Sequence, residues 1–367
     1  MADRRIDALA RVLVEYSLDV RSGQLVTIAG SPLATPLVRE VYRQVVLRGG
    51  HPLVQVTIPG LSEIYYRHAS DDQLRYIRPD ERIMPETADA ALSILSDANT
   101  KSLSGVDPSR QQLARQARAG LTKTYLERAA EGKLRWCVTL FPTDAYAQDA
   151  EMSLADYEEF VYSACLLDAE DPAEEWRNVS REQQRLVDWL SDKRSIHVTA
   201  PGTDLTLEVG GRTFINADGK YNFPDGEIFT GPVERSVNGE VRFTFPSSVA
   251  GREVEDIRLW FENGKVVKAT AAKNEEYLRR TLDTDEGARY LGEFAFGTNR
   301  GIRAFTRNIL FDEKIGGTMH LAVGASYPET GGINQSAVHW DMICDLRQES
   351  EVRVDGQLFM KDGQFTV

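Results

Sequence analysis

The chain has 367 residues, 42% apolar and 27% charged, an ordinary globular composition whose length exceeds the usual single core, so two domains are expected. A formal net charge of −13 and a pI near 5.0 argue against the concentrated basic surface that holds phosphate backbones, so no nucleic-acid partner is expected. No apolar run is long enough to span a membrane, and the polar opening from Met1 to Asp7 lacks the apolar core of a signal peptide. Cytoplasmic residence without membrane association is the default expectation.

The first half alternates helix and strand. Ile6, Leu9, Leu13 and Tyr16 recur at helical spacing, and Gln24 to Gly30 reads as a short strand ended by glycine. Thr35 to Leu47 has helical periodicity stopped by Gly49-Gly50, and Pro52 to Ile58 is the next strand. Strand, helix and strand in this order make a βαβ unit and imply a parallel sheet. Further strands are expected at Ala90 to Leu95 and Leu134 to Leu140, with helices over 108–131, 153–166 and 173–192. Gly30-Ser31-Pro32 lacks the spaced glycines of a dinucleotide fingerprint. Residues 1–192 are therefore expected to form a Rossmann-like α/β domain, with an open, mostly parallel sheet and no nucleotide cofactor.

From about residue 195 the period becomes two. Ser195 to Ala200 and Asp204 to Val209 flank Pro201-Gly202, a hairpin signature. Asn238-Gly239 precedes the strand-like Glu240 to Phe245, and Asn263-Gly264 separates Ile257 to Phe261 from Val266 to Thr270. One helix interrupts the pattern, Asn274 to Leu282, with Asn274 as its expected N-cap. Residues 193–367 are expected to form a β-rich, mostly antiparallel α+β domain. The three cysteines, Cys137, Cys165 and Cys344, are too few and too dispersed for a disulfide framework or a thiolate zinc site. Apolar neighbours make Cys137 and Cys344 buried hydrophobes.

Five histidines are present. His51, His68 and His197 fit structural or surface roles. His339 and Asp341 project to one face of an extended strand and can place an imidazole and a carboxylate on one cation, although such a pair alone marks no site. His320 lies in an apolar, glycine-flanked run, where a satisfied core histidine is the plainer reading. Glu227 and Glu293 also sit in unusual surroundings. Glu293 is wedged among apolar and glycine residues, where a carboxylate needs a positive partner. The cations nearest to it in sequence, Arg289 and Arg300, read equally well as surface residues.

Four motifs follow one another over roughly 222–342. They are Asn222-Phe223-Pro224-Asp225-Gly226-Glu227-Ile228-Phe229, then Leu291-Gly292-Glu293 with Gly297 and Asn299, then His320-Leu321-Ala322 with Gly324, Tyr327 and Pro328, and finally His339-Trp340-Asp341. In this order they resemble the aminopeptidase T family of metallopeptidases, peptidase family M29. The resemblance implies a metal-dependent aminopeptidase that releases N-terminal residues from short peptides through a metal-bridged hydroxide. It implies two divalent ions (Zn, Co, Mn or Mg) held by Glu227, Glu293, His320, His339 and Asp341, with Glu293 serving both. Glu313 matches an acidic ligand of the family, although its spacing to His320 is longer here. Tyr327 matches a tyrosine of the site, as a ligand or as a donor to the reacting carbonyl. A homodimer is implied as well. Some ring-cleaving dioxygenases acting on dihydroxypyridines are similar to the same family but hold one iron through two histidines and an aspartate, which His320, His339 and Asp341 would fit. Retention of both Glu227 and Glu293 favours two metals. A third reading, a β-rich binding domain with a structural metal or none, would reduce every motif to packing and turns.

Overall fold

A computed structural model describes residues 3–249 and 252–367, so Met1 and Ala2 at the polar start lie outside it. The chain divides into two compact units, Met1–Glu175 with Gly219–Pro224, and Trp176–Asp218 with Asp225–Val367. This differs from a division at 192 and 193 for two physical reasons. The helix Pro172–Leu190 sends Leu186 and Leu190 into the core of the second unit. The short strand Asn222–Phe223 pairs in parallel with the first unit's strand Arg135–Leu140.

In the first unit the parallel sheet runs in the order His51–Val56, Leu25–Gly30, Ala90–Leu95, Arg135–Leu140, Asn222–Phe223. The opening helix, Arg4–Val12, is capped by the Asp3 carboxylate accepting from Arg5 N, and continues as a wider turn over Leu13–Ser17. The helix Thr35–Leu47 buries Leu37, Val41 and Val45 at helical spacing. The helix expected over 108–131 is instead two, Pro108–Ala117 and Ala119–Ala130. Arg118 closes the first with φ −91° and ψ 1°, and its guanidinium donates to Leu74 O and to the Glu81 carboxylate.

In the second unit all strand pairs are antiparallel. An eight-stranded sheet runs in the order Lys265–Thr270, Arg258–Glu262, Asn238–Arg242, Thr203–Glu208, Ser195–Ala200, Glu351–Val354, Gln357–Lys361, Gln364–Phe365. A five-stranded sheet runs in the order His339–Asp345, Thr318–Gly324, Leu291–Gly297, Glu227–Thr230, Ile215–Ala217. Their apolar faces share one core, which also takes Leu278 and Leu282 from the helix Glu275–Leu282. Each fully buried Phe or Leu there contributes ~1.5–3 kcal/mol.

Two turn signals meet different fates. Asn263 (φ 48°) and Gly264 (φ 84°) form the expected two-residue hairpin turn, both in the left-handed region it requires. Asn238-Gly239 lies inside a strand, pairing with Thr206 and Leu205. Asn274 stands at the N-cap position, but its side chain makes no cap; its Nδ2 donates to Glu253 O. All three cysteines are buried and none is in a disulfide among the described residues.

Candidate metal centre

Four neighbouring strands of the five-stranded sheet build the site. With a period of two, Phe294, Phe296, Met319, Leu321, Val323, Trp340, Met342 and Cys344 enter the core from one face. The alternate residues Glu227, Glu293, His320, His339 and Asp341 share the other face. A register shift between Leu291 and Glu293 makes this possible. Without it both residues would face the same way; with it Leu291 stays in the core while Glu293 turns to the site.

The register also supplies room. His320 is opposite Ala295, Glu227 opposite Gly297, His339 opposite Gly324, and Ala322 lies between Glu293 and Asp341. Small residues thus alternate with ionisable ones across the sheet. Two of the sequence motifs also interlock. Gly226 has φ 124°, and a Cβ there would lie 2.6 Å from that of Asn299, whose Nδ2 donates to Asp225 O at 2.8 Å. The Trp340 indole donates to Ser247 Oγ at 2.7 Å, and Ser247 Oγ donates to Asp341 O at 2.7 Å, which fixes the phase of the His339-Trp340-Asp341 strand.

The ionisable ends converge. His320 Nε2 is 3.2 Å from Glu227 Oε2 and 3.7 Å from Glu293 Oε1, while His339 Nε2 is 3.2 Å from Glu293 Oε2 and 3.5 Å from Asp341 Oδ1. Glu293 therefore reaches one imidazole with each oxygen. Three groups present ligand atoms within 4.8 Å of one another: Glu227, Glu293 and His320; Glu293, His339 and Asp341; and Glu313, His320 and Asp341. Each imidazole has its Nδ1 2.9 Å from a backbone carbonyl, that of Glu313 for His320 and that of Ala325 for His339. These contacts assign the Nδ1 proton and aim Nε2 at the carboxylates, as a backbone carbonyl orients a histidine that ligates a metal.

A bare Nε2 lone pair facing a carboxylate oxygen is repulsive, so a cation or a proton must lie between them. In the metal-free protein protons serve. Burial works against the charged imidazole, but Glu293 and Glu227 hold His320 up to about 10, and Asp341 and Glu293 hold His339 up to about 11. Burial also works against ionisation of Glu293, yet the two imidazoles bring it down to about 2. Burial pushes the carboxyls of Glu227 and Glu313 upward against the pull of Lys314.

The residues present fit divalent cations. Glu227 Oε2 and Asp341 Oδ1 are buried and face an imidazole Nε2 at 3.2 and 3.5 Å without a well-formed hydrogen bond, a placement that is costly unless something positive meets them. The donors are carboxylate oxygens and imidazole nitrogens with no thiolate, a set that suits Zn, Co, Mn or Mg.

A family profile described as thermophilic metalloprotease (M29) matches residues 2–365. The chain belongs to that family. It is 29% identical to aminopeptidase 2 of Geobacillus stearothermophilus, over 99% of this chain and 95% of that protein. It is 30% identical to aminopeptidase T of Thermus thermophilus, over 96% of this chain and 94% of that protein. The solved structure of wild-type AmpT from Thermus thermophilus superposes with a TM-score of 0.86 at 27% identity, covering 99% of both chains. A 2,5-dihydroxypyridine dioxygenase from Pseudomonas putida KT2440 has a TM-score of 0.57 at 14% identity, covering 99% of this chain and 97% of that one; this likeness is one of fold alone.

Every residue expected at the M29 site lies in this cluster or at its edge. Tyr327, 40% exposed, stands edge-on to Phe229 and to His339, with ring centroids 5.5 and 5.1 Å apart. Burial and the surrounding carboxylates keep its phenol protonated. Arg289 and Arg300 lie elsewhere, the first paired with Asp283 and the second donating to Gln364. Two contributors were not foreseen from sequence. Lys314 is fully buried, with Nζ 3.7 Å from Glu227 Oε1 and in contact with Glu313 Oε1. Gln183, 2% exposed, donates to Ala217 O and Glu227 O and accepts from Thr298, pinning the strand that carries Glu227. A polar residue on the apolar stripe of an amphipathic helix was the available signal for Gln183.

Proposed function

We propose that this M29 chain is a dinuclear metallo-aminopeptidase that removes N-terminal residues from short peptides. Glu227 and His320 would hold one divalent ion, His339 and Asp341 the other, with Glu293 between them. The observation that carries this reading is Glu293: one buried carboxylate reaches two imidazoles fixed by backbone carbonyls, and each imidazole faces a further buried carboxylate oxygen, of Glu227 or of Asp341. The aminopeptidase names of the relatives support the same activity.

When bound, such ions activate water and polarise the scissile carbonyl. The chain's own groups do the rest. Tyr327, kept protonated and placed beside His339, donates to the oxygen that becomes negative as the carbonyl is attacked. Glu313, partly exposed and with its carboxyl pushed up by burial, moves the proton from the attacking water to the leaving amine. Val338 and Trp340 anchor the His339 strand in the core and keep these distances short.

A single iron held by His320, His339 and Asp341 would leave Glu227 and Glu293 unexplained, and this reading is not carried forward. A cytoplasmic homodimer accords with the family resemblance and with the composition. Metal analysis of the purified protein, paired with hydrolysis of aminoacyl-nitroanilides, tests the function. Two divalent ions per chain and metal-dependent release of nitroaniline are expected; one iron with no release would refute it.

A further inference from the structure

Lys314 is a cation inside the candidate centre that the proposed chemistry does not use. Its side chain is wholly buried, and its Nζ meets two of the site's acids, Glu313 Oε1 and Glu227 Oε1. The backbone holds it firmly. Lys314 N donates to Phe311 O at 3.0 Å, Lys314 O accepts from Asn299 N at 3.1 Å, and Gly316 N donates to Asn299 O at 2.9 Å. Asn299 is the residue that closes over Gly226, so the segment that places Lys314 is locked to the segment that places Glu227.

The consequence is an asymmetric centre. Glu227 divides its oxygens, Oε1 toward the ammonium and Oε2 toward His320 Nε2. On the other side, no lysine or arginine pairs with Asp341 or Glu293 among the described residues; their ion-pair partners are the imidazoles, and Lys314 approaches Asp341 only through Glu313, whose carboxylate lies within 4.8 Å of that of Asp341. A fixed positive charge 3.7 Å from a ligand oxygen of one half, in a low-dielectric site, repels a dication there more than one held farther from it.

We infer that Lys314 sets the order in which the centre fills, weakening cation binding at the Glu227–His320 half and leaving the His339–Asp341 half as the tight site. The inference rests on the two-cation reading above. The protein carries one cation when the metal is scarce and takes the second only at higher concentration. The Glu227–His320 half is also the first to empty under a chelator.

The test is calorimetric titration of the metal-stripped protein with Mn²⁺, which needs no activity. Two binding events separated by roughly tenfold or more are expected in the natural protein. Lys314→Met, which keeps the length and removes the charge, should tighten the weaker event by about tenfold or more and leave the tighter one unmoved. Lys314→Arg should keep the gap. Asp341→Asn, which leaves the lysine and its loop untouched, should remove the tight event and spare the weak one, so the inference can be tested even if Lys314→Met fails to fold. Equal events in the natural protein, or an unchanged gap in a folded Lys314→Met, would overturn the role of Lys314 while leaving the two-cation reading intact. Loss of the weaker event in Lys314→Met would overturn it too, making the lysine a prop for Glu227. No binding by the natural protein would overturn the two-cation reading itself.

Discussion

Replacing Glu293 by glutamine tests the shared position most sharply. The change keeps the volume and one acceptor but removes a carboxylate that is 5% exposed and has its two oxygens 3.7 and 3.2 Å from two imidazole nitrogens. Removing one partner from a buried charge pair costs ~3–5 kcal/mol. At about 1.4 kcal/mol per tenfold, this is a loss of ~10²–10⁴ in cation affinity. Because each oxygen serves a different half, both bound ions should be weakened. Asp341→Asn, which touches one half, should weaken only one. Elemental analysis after dialysis against buffered metal reads the stoichiometry, and competition with a chromophoric chelator reads the affinity. Two ions retained at natural affinity in Glu293→Gln would refute the shared-carboxylate geometry. Loss of a single ion would show that Glu293 serves one half only.

Three further outcomes follow from the same geometry. Tyr327→Phe should lower kcat by ~10²-fold while leaving metal content unchanged, since the phenol is assigned to a developing oxyanion; a loss of metal would make Tyr327 a ligand. Gly226→Ala should cost ~1–3 kcal/mol by chemical denaturation, because φ is 124° and the new Cβ would meet that of Asn299, and it should weaken metal binding through Glu227; a neutral effect would refute the interlock. The metal-free protein should lose thermal stability as pH rises. His320 and His339 have folded values of about 10 and 11 against an ordinary 6.5, so the folded state binds more protons across that window. Their contribution is complete below about 6.5 and is lost as pH climbs through 10 and 11. A melting temperature that does not fall between pH 7 and 11 would contradict it.

The sequence was legible where periodicity was clean. Thr35–Leu47 and Ala90–Leu95 have the bounds their apolar spacing implies, and Asn263-Gly264 makes the turn its chemistry dictates. The strands Leu291–Gly297 and Thr318–Gly324 were harder to read because both faces are buried. One face packs Phe and Leu, and the other carries Glu293 or His320 beside Ala and Gly, so no polar face advertises the alternation. The site residues were legible through their motifs, and the strand positions then explain the spacing: His339 and Asp341 share a face by alternation, and Glu293 joins them only through the bulge at Gly292. Lys314 was not legible. Nothing in Asp312-Glu313-Lys314 marks it, and only the tertiary fold shows that it is buried against two acids.

Digestion of a short peptide and its N-acetylated twin, followed by mass spectrometry of the products, shows whether this M29 chain is a metal-dependent aminopeptidase. Residues should be lost stepwise from the free amino end, cleavage should cease after chelation and recover on adding a divalent metal, and the acetylated twin should stay intact. Internal cleavage, cleavage of the blocked peptide, or activity undiminished by complete metal removal would contradict it.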